Sequence, residues 1–258
     1  MYTNADGLVN KRQELKALIN SVKDYPHVIA VTDIKPKNLS QQLLTGEFNL
    51  PGYNIFIHGL DDATKRGMML YISVDIEASL VDVPSPFREC LFVLLKNRSK
   101  TNSLLVGNIY QSPNSTEEND INLHQMFKYI DQDYKFSKLI MGDFNFPNIH
   151  WYPVQTGATA RCSGLSDKEM KFVNTLRENS PLQHVVSPTR QRGSDAPHIL
   201  DFGGRICRFP IDLRRRPYNT LALPCECVIV YCVSETGIEA INARACISLR
   251  LSTSSIAI

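Results

Sequence analysis

The chain has 258 residues, enough for one large domain or one domain with an appendage, and 43% hydrophobic with 21% charged residues is an ordinary balance for a soluble globular protein. A net charge of +2 neither demands nor excludes a nucleic-acid partner, because a local basic groove can exist on a near-neutral protein. No apolar run approaches transmembrane length, and the opening MYTNADGLVNKRQEL lacks the apolar core of a signal peptide, which reads as an intracellular protein with no membrane partner.

In chain order, Leu8, Leu15, Leu18, Ile19 and Val22 recur at helical spacing, predicting a helix over Asn10 to Lys23 that Pro26 ends. His27 to Thr32 (HVIAVT) is a continuous apolar run of strand length, the mark of a strand covered on both faces, and Asp33 is its polar exit. YNIFIHG and MMLYISVDI alternate about the charged tip DDATKRG and predict a β-hairpin. ECLFVLL and SLLVGNIY make a second pair around KNRSKTN, and successive pairs of this kind suit one sheet of a two-sheet sandwich. Tyr110 stands at the exit of the last of these strands, with Gln111, Ser112, Pro113 and Asn114 after it.

Ile121, Leu123, Phe127 and Ile130 have helical spacing, so the order into KLIMGDFN is strand, helix, strand. Leu139 to Met141 form an apolar run that Gly142 stops, and Asp143 and Asn145 follow two residues apart. On an extended backbone they project together while Phe144 turns into the core, and one carboxylate beside one amide can hold a water and a phosphate oxygen. A strand-ending Asp-Phe-Asn turn with a side-chain-to-backbone hydrogen bond is the other reading of the same residues. After Trp151, PVQTGATARCSGLS reads as a loop, and Ser166 with Glu169 at the capping-box position starts a helix through Met170, Phe172, Val173 and Leu176. Val185 and Val186 lead into SPTRQRG, where Thr189 and Arg190 are placed either to meet a phosphodiester backbone or to form a solvated turn. PHILD ends at Asp201.

Beyond Phe202 the usage shifts. All thirteen lysines and all six histidines lie in the first 202 residues, and five of seven cysteines crowd between Cys207 and Cys246. No CxxC pair occurs and the tail has no His, so the cysteines read as reduced thiols rather than a zinc site. Two units are expected: residues 2 to 202, and over 203 to 258 an unrelated extension of the kind that a frameshift or unspliced translation produces, the other reading being a small, divergent C-terminal subdomain.

The ordered motifs TNADGLVNK, VTDIKPKN, IYQSPN, GDFN, SPTR and HILD resemble the endonuclease/exonuclease/phosphatase superfamily. GDFN-x-P-x-x-x-W in particular resembles the endonuclease domain of non-LTR (LINE-type) retrotransposons. The resemblance implies an α/β fold, a four-layer α/β/β/α sandwich truncated at both ends, with the site at the mouth between the sheets. It implies a metal-dependent phosphodiester hydrolase nicking DNA, in a full-length element beside a reverse-transcriptase segment and in the nucleus, with no small-molecule cofactor. Mg2+ (or Mn2+) would be held by Asn4 and Asp33. Asp143 and Asn145 would orient the attacking water, Tyr110 and Asn114 would contact phosphate oxygens, and Thr189 and Arg190 the backbone. Asp201 would orient a catalytic His.

The sequence departs from the family in four places. The chain begins almost at Asn4. Asp33 replaces a Glu, about 1.5 Å shorter in reach, and Gln111 replaces an Arg. No Ser-Asp-His follows Asp201. The implied activity is therefore impaired, or absent in a remnant that only binds DNA.

Overall fold

A computed structural model describes residues 1–22, 25–36, 43–62, 65–96, 103–134, 137–154, 157–179, 182–183, 201–206, 215–218 and 227–230. Strand β1 (Tyr2–Asn4) leads through a short 3-10 turn into helix α1 (Arg12–Ser21), and β2 (Val28–Thr32) returns parallel to β1. All five residues of β2 are buried, as its unbroken apolar run predicts for a strand covered on both faces. β3 (Tyr53–His58) and β4 (Met68–Ser73) form the expected antiparallel pair, with β4 lying against β2.

The chain then crosses to a second sheet. β5 (Glu77–Val81), β6 (Cys90–Lys96) and β7 (Ser103–Tyr110) form an antiparallel meander there, so the two strand pairs belong to different sheets and not to one. A turn at Val74 and Asp75, closed by the Ile76 N–H donating to the Ser73 carbonyl, ends β4 within the run MMLYISVDI. α2 (Glu117–Asp133), capped by Thr116, carries β7 over to the parallel β8 (Ser137–Asp143). β9 (Trp151–Val154) and β10 (Gly157–Ala160) pair antiparallel where the sequence reads as a loop. This short hairpin has no regular apolar alternation to betray it.

α3 (Asp167–Glu178) starts at the predicted capping box, in which Ser166 and Glu169 exchange hydrogen bonds. β11 (Leu182–Gln183) and β12 (Asp201–Ile206) complete the second sheet, β12 running antiparallel to β8 from Asp201 onward. β13 (Arg215–Tyr218) and β14 (Cys227–Val230) pair with each other and extend the first sheet beside β1.

The strand orders are β13-β14-β1-β2-β4-β3 and β5-β6-β7-β8-β12-β11-β10-β9. Three apolar clusters separate four layers. Leu15, Leu18 and Ile19 of α1 pack on the outer face of the first sheet against Ile29, Val31 and Met69. Ala30, Leu70, Val93, Val106 and Met141 fill the space between the sheets. Phe92, Ile109 and Ile140 on the outer face of the second sheet meet Phe127 of α2 and Phe172 of α3. This is the α/β/β/α sandwich expected. Among the described residues no helix is long and apolar enough to cross a membrane.

Candidate active site at the mouth between the sheets

The position of each site residue follows from strand alternation. Tyr2, Ala30, Val106 and Met141 face the inter-sheet core, so two residues further along each strand Asn4, Thr32, Asn108 and Asp143 face the same way. Tyr110, two residues past Asn108, is buried there as well. Asn4 lies beside Thr32 in the first sheet and Tyr110 beside Asp143 in the second. The apolar filling therefore runs out into polar groups at one mouth, fed by four strand ends.

These groups bond across the gap between the sheets. Asn4 Nδ2 donates to Asp143 Oδ2 at 2.8 Å, and Asn4 Oδ1 accepts from the backbone N–H of Asp6 at 3.1 Å. The Asn4 amide and the Tyr110 hydroxyl are both in hydrogen-bonding range of the Asp33 carboxylate. Asn4, Asp33, Tyr110 and Asp143 are all buried. Below them, fully buried Asn108 donates to the carbonyls of Val31 and Met69, each at 3.0 Å, and ties the second sheet to the first.

Asp143 and Asn145 come together, but not by pleat alternation. β8 ends at Asp143, and Asn145 takes a left-handed backbone with φ 51°. The Asn145 N–H then donates to Asp143 Oδ1 at 3.1 Å and its Nδ2 to the Gln111 carbonyl at 2.7 Å, so the strand-ending turn is the geometry adopted. Phe144 does enter the core, beside Phe172 at a centroid distance of 5.2 Å. Gln111 is held in turn: its N–H donates to the Asp143 carbonyl, and its side-chain amide donates to Asp120, which pairs with Lys168 at 3.0 Å.

Charge is unevenly compensated here. Burial raises the Asp33 carboxyl above the usual carboxylate range; Arg66 and the Asn4 hydrogen bond oppose the rise, while the nearby Asp6 charge adds to it. Arg66 Nε lies 3.2 Å from Asp33 Oδ1, yet its N–H points at the Lys35 carbonyl 2.7 Å away, so this buried oxygen has an ion-pair partner and no hydrogen bond. Burial, then the Asp33 and Asp143 charges, push the Tyr110 hydroxyl far above its ordinary value. It stays protonated, a donor and not a base.

Asn114 lies exposed in the turn after β7. The backbone of Asp201 stands in register beside that of Asp143. Thr189 and Arg190 lie outside the described residues, as do most of KNRSKTN and all of PHIL. Sequence reading passed over Asp6 and Arg66. Arg66 stands just before the strand that pairs with β2, and its relation to Asp33 emerges only once β4 is known to be β2's neighbour.

No family model matches the chain, and no curated protein matches it. Solved structures do. The endonuclease domain of TRAS1, a telomere-specific non-LTR retrotransposon, superposes with TM-score 0.57 at 14% identity, covering 87% of this chain and 93% of that one. The AP endonuclease LMAP from Leishmania major gives 0.63 at 15%, covering 87% and 84%. An endonuclease/exonuclease/phosphatase family protein from Leptotrichia buccalis gives 0.60 at 11%, covering 90% and 98%. At such identities what is shared is the layered architecture with its mouth between two sheets, and by that architecture the chain has the endonuclease/exonuclease/phosphatase fold.

Proposed function

We propose that the chain is a metal-dependent phosphodiester hydrolase of the DNA endonuclease type, with the inter-sheet mouth as its site. The observation that carries this reading is the closure of Asn4, Asp33, Tyr110 and Asp143, from two sheets, into one buried polar cluster on this fold. Buried ionisable and amide groups gathered at one mouth, with Asp33 and Tyr110 displaced from their ordinary titration ranges, mark it as the functional-site candidate.

The donor set suits a hard divalent cation. Asp33 Oδ1, a buried carboxylate oxygen without a hydrogen bond, is what such an ion completes, and Asn4 Oδ1, which accepts from the Asp6 N–H, keeps a second lone pair for it. Asn4 and Asp33 would hold Mg2+ or Mn2+, which when bound polarises a phosphate oxygen and offsets the charge that develops there. The remaining work falls to the chain's own groups. Asp143, fixed by Asn4 and Asn145, orients a water and accepts its proton. Tyr110, kept protonated, donates to a phosphate oxygen. Asn145, anchored on Gln111, steadies the same water, and Asn114 meets phosphate further out. Thr189 and Arg190 extend the DNA contact along the backbone.

Asp201, whose backbone pairs in register with that of Asp143, is the proposed orienting acid, but residues 199–258 hold no histidine for it to orient. A positioned acid/base group is worth about 10² to 10⁴ in rate, so turnover is slower by about that factor. A second reading, phosphodiester binding without turnover, is favoured by that gap and by the cation already beside Asp33. Supercoiled plasmid with Mg2+ separates the two. Nicking that disappears in Asp143→Ala supports the hydrolase, whereas no nicking by folded protein that still retards DNA supports the binder.

A further inference from the structure

Arg66 is placed as a cation within the site, although no motif includes it. Its guanidinium reaches two acids on different turns, Asp6 Oδ1 at 2.8 Å through an Nη and Asp33 Oδ1 at 3.2 Å from Nε. Both acids stand just past the ends of β1 and β2 with left-handed backbones, φ 42° and 58°. The Arg66 backbone is fixed as well. Its carbonyl accepts from the Lys35 N–H at 2.8 Å, its own Nε–H returns to the Lys35 carbonyl, and Gly67 follows with φ 71°. The side chain is mostly buried, so its charge acts on Asp33 with little screening.

An ion at Asn4 and Asp33 would neutralise the same carboxylate. Two cations cannot both approach Asp33 Oδ1 closely without repelling each other. The missing hydrogen bond at that oxygen shows what distinguishes them: the guanidinium supplies charge and leaves the lone pairs to another ligand.

We propose that Arg66 is a built-in counter-cation that stands in for a divalent ion at Asp33, so that the ion binds only by displacing it. The proposal rests on the metal-binding part of the function proposed above and assigns the site an intrinsic threshold for the metal. In the metal-free protein Arg66 keeps the acids of the mouth from repelling one another. With the ion bound, the guanidinium is released toward the open side of the mouth.

The test is thermal unfolding of the full chain across a Mn2+ titration at constant ionic strength, for wild type, Arg66→Gln, Asp33→Asn and the double variant. Arg66→Gln is expected to lower the Mn2+ concentration at half-maximal stabilisation by about tenfold, the factor that about 1.4 kcal/mol represents. Asp33→Asn is expected to remove the response in either background. In chelator, Arg66→Gln alone is expected to lower Tm, and adding Asp33→Asn to restore at least half of the loss. If Arg66→Gln responds at the wild-type concentration while Asp33→Asn still abolishes the response, displacement is wrong and the metal site stands. If no protein shows an Asp33-dependent response, both the metal site and the displacement are wrong. Should Arg66→Gln not fold, Arg66→Lys keeps the charge but cannot span both acids; a shift in the same direction supports the proposal, and an unchanged midpoint overturns it.

Discussion

Gly142→Ala tests whether the site depends on close approach of two backbones. Gly142 pairs with Ile109 across β7 and β8, one residue before Tyr110 and Asp143. A Cβ at residue 142 would lie 2.0 Å from the Ile109 carbonyl oxygen and 2.8 Å from its carbon. Carbon contacts are comfortable at about 3.5 Å or more, so the strands would have to part by more than an ångström. The obstacle is backbone in the middle of a sheet, which cannot swing aside as a side chain can. Overpacking typically costs about 1 to 3 kcal/mol, and a backbone obstacle puts this substitution at about 3 kcal/mol or above. For a chain of this size that corresponds to a fall in Tm of about 6 to 12 °C. Gly46→Ala is the control, because nothing lies within 4 Å of its added carbon. Thermal and urea unfolding of the two variants would be compared. A Gly142→Ala protein within about 0.5 kcal/mol of the Gly46→Ala control would refute the reasoning.

Asn108→Ala removes both donors that tie the second sheet to Val31 and Met69 and is expected to cost about 2 kcal/mol by urea unfolding, whereas a clamp without energetic weight would leave the midpoint unchanged. Ser166→Ala breaks the capping box of α3 and is expected to cost about 1 kcal/mol, read as a lowered urea midpoint at an unchanged slope. His124, half-buried against Thr175, is held below its ordinary value mainly by burial. Its folded value lies below the unfolded one, so its contribution is fully present above about pH 6.5 and is lost as pH falls toward the folded value. His124→Gln should therefore lose less stability than wild type between about pH 7.5 and pH 5.5, and equal losses would contradict the assignment. Tyr110→Phe is expected to weaken any nicking by about tenfold or more while leaving the fold intact, since it removes a hydrogen bond to a charged group.

How much of this could be read from the chain depended on whether local pattern or pairing decided it. β2, β8 and the capping box of α3 announce themselves, because unbroken apolar runs and a Ser-x-x-Glu spacing are local signals. The approach of Asn4 to Asp143 was not local, since 139 residues separate them, and only the ordered motifs suggested it. The β9–β10 hairpin escaped because Trp151 to Ala160 carries Gly, Thr and Pro, which read as turn residues wherever packing does not intervene. β5 was missed because MMLYISVDI reads as one strand running to Ile76, whereas a turn at Val74 and Asp75 ends β4 at Ser73 and sends Glu77 to Val81 to the other sheet. The face shared by Asp143 and Asn145 was foreseen for the wrong reason. Alternation would have aligned them on a continuing strand, but the strand stops and a left-handed residue brings the amide back.

That left-handed residue belongs to a pattern. Among the described residues the non-glycine positions with positive φ are Asp6, Asp33 and Asn145, and all three are at the mouth. Asp and Asn tolerate this region better than other side chains, but they still prefer not to occupy it, and they persist there when surrounding bonds over-determine them. Each is so held. The Asp33 carbonyl accepts from Gly7 and its carboxylate faces Arg66; Asp6 binds the same guanidinium; Asn145 is bonded to Asp143 and Gln111. A mouth built only to close a sandwich would end its strands in glycine turns, as the chain does at Gly59 after β3. Here polar residues accept the strained conformation, and each gains a fixed carboxylate or amide that a glycine could not present. The strain therefore falls on the carboxylates and the amide gathered at this end of the sheets, which is the physical reason to test this end, and not the other, for the proposed chemistry.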